Sequence, residues 1–224
     1  AHAVGDLLAE RLGSFIHRAI VSRRPRPSGA PCNDGADAPG ATGASPAAPA
    51  PPLRPIVLVG MMGSGKTTVG RRLATQLGRE FVDADKEIES RCGVPIATIF
   101  ELEGEEGFRR RESAVLEALS LRPGIVLATG GGAVLLAENR ERLHARGFVI
   151  FLRTGAAELW QRLKRDRVRP LLRTENPRER IGDLLEAREP LYREVAHLTV
   201  TSGRLPIDAL VADIIGRLPD DLLP

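Results

Sequence analysis

Cysteine is scarce: the 224 residues hold two, Cys32 and Cys92, too few for a disulfide framework or a thiolate metal site. A reducing cytoplasm is the compartment this implies. The four histidines, His2, His17, His144 and His197, fall outside every motif and show no metal-ligand spacing. No window approaches the roughly 18 consecutive apolar residues of a membrane-spanning helix, and there is no internal repeat. A charge excess of one sign is also missing, because 29 acidic residues are interspersed with 32 basic ones for a formal net charge of +3. Anionic small molecules account for the arginines of the second half, so neither a nucleic-acid nor a membrane partner is expected.

Residues 22–55 are mostly Pro, Ala, Gly and Ser, too poor in large apolar groups to offset the entropy of ordering, and read as a disordered linker. Ahead of it Leu8, Leu12, Phe15, Ile16 and Ala19 recur at helical spacing, which predicts a short amphipathic helix over 4–21. Its acidic residues Asp6 and Glu10 set it apart from an organelle transit peptide. A partner-docking or dimerisation helix and an extension of no consequence are both open readings; the protein is otherwise expected to be a monomer. Residues 1–54 thus form an N-terminal extension, 55–217 a folded domain and 218–224 a tail.

Within the domain, strand patterns at 56–59, 80–83, 125–128, 148–152 and 197–201 alternate with helical patterns at 66–77, 104–119, 135–146, 156–164, 178–195 and 207–217. This alternation predicts an α/β fold with a five-stranded parallel sheet covered on both faces, and a ligand site at the carboxyl ends of the strands.

Directly after the first strand comes Gly60-Met61-Met62-Gly63-Ser64-Gly65-Lys66-Thr67, a phosphate-binding loop where a strand hands over to a helix. Glycines let backbone N–H groups turn around a polyphosphate, and the helix start adds donors and a positive dipole end. Lys66 would reach the β- and γ-phosphates of a nucleoside triphosphate and Thr67 would offer its hydroxyl to Mg²⁺. At the second strand end, Asp83-Ala84-Asp85 can divide labour between holding hydrated Mg²⁺ and meeting an acceptor hydroxyl, although Asp85 could instead cap a helix.

Arg109, Arg110 and Arg111 fan around one helix, so at most one faces a ligand; the competing reading is a solvated face paired with Glu105, Glu106 and Glu112. Gly130-Gly131-Gly132 ends the third strand and admits a close backbone approach. The charged stretch 162–172 reads as a mobile lid, with Arg169 the cation brought to the transferred phosphoryl group. Arg188 lies late in a helical stretch.

Taken together, GMMGSGKTTVGRRLA, FVDADKEIE, IFELEGEEGFRRRE, TGGGAV, RPLL and AREPLY resemble the shikimate kinase family in type, order and separation, from about residue 55 to 217. The resemblance implies ATP-dependent phosphorylation of the 3-hydroxyl of shikimate, in the pathway to chorismate and aromatic amino acids. It implies catalysis by Lys66, Asp85 and Arg169, and ATP contacts from Gly63, Ser64, Gly65, Lys66, Thr67, Thr68, Arg162, Arg169, Arg204 and Pro206. Shikimate would meet Asp85, Arg109, Gly131 and Arg188, and magnesium Thr67 and Asp83. Another P-loop kinase, or a binding protein that keeps the fold, is the alternative.

Overall fold

A computed structural model of the chain describes residues 53–164, 176–203 and 205–223. The helix expected over 4–21, most of the linker, the core of the lid and Arg204 lie outside the described residues.

Strands β1 (Ile56–Val59), β2 (Glu80–Asp83), β3 (Ile125–Ala128), β4 (Phe148–Arg153) and β5 (Leu198–Thr201) form one parallel sheet in the order β2-β3-β1-β4-β5. The helices are α1 (Lys66–Gln76), α2 (Ala84–Cys92), α3 (Ile96–Ser120), α4 (Ala137–Arg146), α5 (Ala156–Leu163), α6 (Pro177–Val195) and α7 (Ile207–Ile215). β1 is central and pairs with β3 through Val57 opposite Leu127, and with β4 through Val57 opposite Val149.

Unbroken apolar strands follow from burial on both faces. Alternate residues point to opposite sides. Val57, Val59, Leu127, Val149 and Phe151 pack with Val115, Leu116 and Leu119 of α3, Leu143 of α4 and Ile181 of α6. Ile56, Leu58, Val126, Ile150 and Leu152 pack with Val69 and Leu73 of α1, with Leu77 just after it, and with Leu210, Val211 and Ile214 of α7.

Three expectations need correction. The sequence pattern left out α2 and began α3 eight residues late. Among the nine residues of α2 only Ala84 and Ile88 are buried, a stripe too narrow to show as helical periodicity, and α3 is broken by Gly104 at φ 69°. The supposed tail belongs to the core: Leu218 and Leu222 are buried, and Arg79 donates to the Leu222 carbonyl. At the other boundary, the carbonyls of Leu53 and Pro55 already accept backbone bonds from Gly124 and Phe148, so order begins inside the stretch read as linker.

Among the described residues, no helix is long and apolar enough to cross a membrane.

Candidate active site

Where β1 ends, the chain must turn sharply under β4. Gly60 has φ 144°, and a Cβ there would stand 2.7 Å from the Leu152 carbonyl oxygen, so both conformation and space require glycine. Gly65, left-handed at φ 97°, is the N-cap of α1, whose first turn carries no acidic residue. The positive end of α1 therefore faces a cavity of about 510 Å³ with no carboxylate in its own first turn. Gly63, Ser64, Gly65, Lys66, Thr67 and Thr68 all line it, as do Asp83, Asp85 and Arg162.

Lys66 is buried, its ammonium donating to the carbonyls of Gly60 at 2.8 Å and Met61 at 2.9 Å, which holds the charge across the mouth of the loop. Arg162, at the end of α5, donates to the Gly63 carbonyl at 3.0 Å. Pro206 is exposed and is not among the lining residues; Leu205 and Ile207 on either side of it are. Arg169 and Arg204 lie outside the described residues.

Thr67 Oγ1 donates to Asp83 Oδ2 at 2.9 Å. The other oxygen of Asp83 accepts from the N–H groups of Asp85 and Lys86, so Asp83 is the cap of α2, the role the sequence offered to Asp85. That leaves Asp85 in the first turn of α2, turned toward the site.

A second cavity of about 140 Å³ adjoins the first and is lined by Asp85, Arg109, Glu112, Arg188, the three glycines 130–132 and the apolar side chains of Met62, Ile96, Phe100 and Phe108. Of the three consecutive arginines, Arg110 and Arg111 point outward to Glu106 and Glu103, while Arg109 is only 12% exposed and faces the cavity. Phe108 lies beneath its guanidinium at 5.2 Å and stacks on Phe100.

Arg109 pairs with Glu105 at 3.0 Å and with Glu112 at 2.6 Å. Glu112 is 1% exposed, and its second oxygen, Oε1, has no hydrogen-bond partner. Burial pushes the Glu112 carboxyl up, with Asp85 adding to the shift, while Arg109 and Arg188 oppose it. Sequence reasoning had Glu112 only as a possible surface partner. Its i,i+3 distance from Arg109 was the available signal, but burial was not readable.

The glycines are there for space. A Cβ on Gly130 would stand 2.7 Å from Glu112 Oε1 and 2.9 Å from Asp85 Oδ1, and one on Gly132 2.4 Å from the Arg109 guanidinium. Gly131 lies against the phosphate loop, where its Cβ would be 3.2 Å from Met62 N. Its carbonyl accepts from Arg188, which is buried on α6.

The shikimate kinase family model matches residues 62–219. A shikimate kinase of Bordetella avium is 56% identical over 163 residues, covering 73% of this chain and 78% of that one. One from Burkholderia thailandensis is 51% identical, covering 73% of this chain and 89% of its own. The chain belongs to the shikimate kinase family. The solved structure of the shikimate kinase from Acinetobacter baumannii in complex with shikimate superposes with a TM-score of 0.71 at 51% identity, covering 75% of this chain and 96% of that one. The family's P-loop kinase fold is the sheet and helix arrangement found here, and the two adjoining cavities are built from the segments that carried the resemblance.

Proposed function

We propose that this chain transfers the γ-phosphoryl group of ATP to the 3-hydroxyl of shikimate, with the nucleotide in the larger cavity and the acceptor in the smaller. One observation carries the assignment of roles: Asp85, Met62 and Gly131 line both cavities. A carboxylate at the junction is placed to orient the attacking hydroxyl and to accept its proton as the new P–O bond forms.

The remaining roles follow from charge. Lys66 sits over the loop that receives the phosphates, where a fixed ammonium stabilises charge on the transferred group without reorganising. Arg109 and Arg188 approach the acceptor cavity from α3 and α6, and their planar forks suit a carboxylate. The apolar wall of Ile96, Phe100 and Phe108 suits the ring carbons. Arg162 lies at the nucleotide end, and Arg169 remains our choice for the cation carried by the lid.

Thr67 and Asp83 fit magnesium, since a hydroxyl and a carboxylate oxygen 2.9 Å apart beside the phosphate loop are hard donors. Among the described residues no group of three or more His, Cys, Asp or Glu side chains could hold a metal ion. Thr67 and Asp83 would hold Mg²⁺ beside the phosphate loop, and the ion would supply positive charge to offset that of the phosphates. We further infer a cytoplasmic monomer whose catalytic core is self-sufficient from about Pro52.

A coupled assay with MgATP and shikimate tests this reading. Shikimate-dependent ADP release with formation of shikimate 3-phosphate is expected. Folded, ATP-binding protein that releases no ADP in response to shikimate would falsify it.

A further inference from the structure

Tyr192 is the only tyrosine of the chain and has no exposed surface. It follows Arg188 by four residues on α6, so the two side chains leave the same helix face. Its ring stacks on Phe151 of β4 with centroids 5.1 Å apart. The hydroxyl donates to the Gly131 carbonyl and stands 3.7 Å from Met61 Sδ. Arg188 Nη1 donates to the same carbonyl at the longer distance of 3.3 Å.

Packing alone asks for phenylalanine at this place, because a buried hydroxyl is costly unless bonded. The hydroxyl is spent on the one residue whose backbone is wedged between the phosphate loop and the acceptor cavity. Gly131 borders both cavities and lies against Met62 N, so a turn of its peptide would shift the acceptor floor and the phosphate flank together.

We propose that Tyr192 is a positioning residue for the transfer: by donating to the Gly131 carbonyl it fixes the triglycine loop against the phosphate loop and leaves the rest of the Arg188 fork to the carboxylate of the acceptor. This rests on the assignment of the two cavities made above. Burial pushes the phenol up to about 12, so the donor persists across the working pH range.

Tyr192→Phe removes one oxygen and keeps the ring. The shikimate KM is expected to rise about tenfold, the loss of roughly one hydrogen bond, while the ATP KM moves less than about twofold. A residue needed only for packing would lower the thermal midpoint and leave both constants unchanged, and that result overturns the proposal. A second test covers a variant that fails to fold. Because the chain has one tyrosine, a fluorinated tyrosine with a more acidic phenol can be incorporated at position 192 alone. Its shikimate KM is expected to rise at alkaline pH, where the phenolate no longer donates and repels the Gly131 carbonyl. A pH profile equal to that of the unlabelled protein overturns the proposal. Wild-type protein without turnover of shikimate overturns the cavity assignment and this inference together; normal wild-type turnover with an unaltered variant overturns the role of Tyr192 alone.

Discussion

The two cavities are built on opposite plans. The nucleotide side centres on one contiguous run, residues 62–69, with a glycine-capped helix end and a buried ammonium, joined by Asp83, Asp85 and Arg162 from elsewhere in the chain. The acceptor side gathers side chains from α2, α3 and α6 around the backbone of the triglycine loop, with two carboxylates and two guanidiniums lining a space of about 140 Å³. Backbone donors are fixed by the fold and tolerate side-chain change. Buried charges hold one another in place, so each acceptor residue depends on its neighbours. The nucleotide side should therefore fail at single points, and the acceptor side should fail as a group.

Asp85 stands where the plans meet, and the largest effect is expected there. Asp85→Asn should lower kcat by about 10²- to 10⁴-fold, the range of a lost general base, while the ATP KM stays near the wild-type value. Steady-state ADP release measures both. Retention of most activity would return Asp85 to a structural role.

Lys66→Ala removes the buried ammonium of the nucleotide side. A fall in kcat of about a hundredfold or more is expected, with shikimate binding by titration unchanged. Loss of shikimate binding would mean that the two sides are not separable in the way described.

The acceptor side can be tested as a unit. Arg109→Lys and Glu112→Gln should each raise the shikimate KM, by about tenfold, since the first loses the fork and the second loses the carboxylate that aims it. The double variant should show less than the product of the two effects, because the residues share one ion pair. Full additivity, or equal changes for ATP, would separate Glu112 from the site.

The smallest effect concerns the far end of the sheet. His197 Nδ1 accepts the Val149 N–H at 3.1 Å and its ring stacks on His144 at 4.2 Å, an arrangement that needs a neutral imidazole. Burial, then His144 and Arg54, hold its pKa below the ordinary value. The unfolded chain thus binds more protons than the folded one between the two pKa values. Stability should rise with pH through that window and fall as pH drops below about 6.5. Thermal midpoints across this range should slope less in His197→Gln, with the ratio of the two KM values unaltered. An equal slope in the variant would place the acid sensitivity elsewhere.

The difference between the cavities also explains what could be read from residues alone. The phosphate loop is a local object: glycine spacing, the preceding strand and the following helix are adjacent in sequence. The ranges of β1 and β3 were legible because strands buried on both faces show as apolar runs. α2 was not, since Ala84 and Ile88 are its only buried residues. The acceptor cavity draws on residues from Met62 to Arg188, and its logic lies in three-dimensional pairing. Arg109, Gly131 and Arg188 entered through the family resemblance. Glu112, the aromatic wall and Tyr192 lie in the same motifs but received no role, because whether a charged or aromatic helix residue is buried depends on what packs against it.

The most direct measurement is calorimetric titration of Asp85→Asn with ATP and with shikimate separately, alongside its turnover. If Asp85 belongs to the junction and to the chemistry, the variant binds both ligands with affinities close to the wild type and turns over neither. An Asp85→Asn protein that has lost ATP binding, or that binds both ligands and still phosphorylates shikimate at the wild-type rate, contradicts the account.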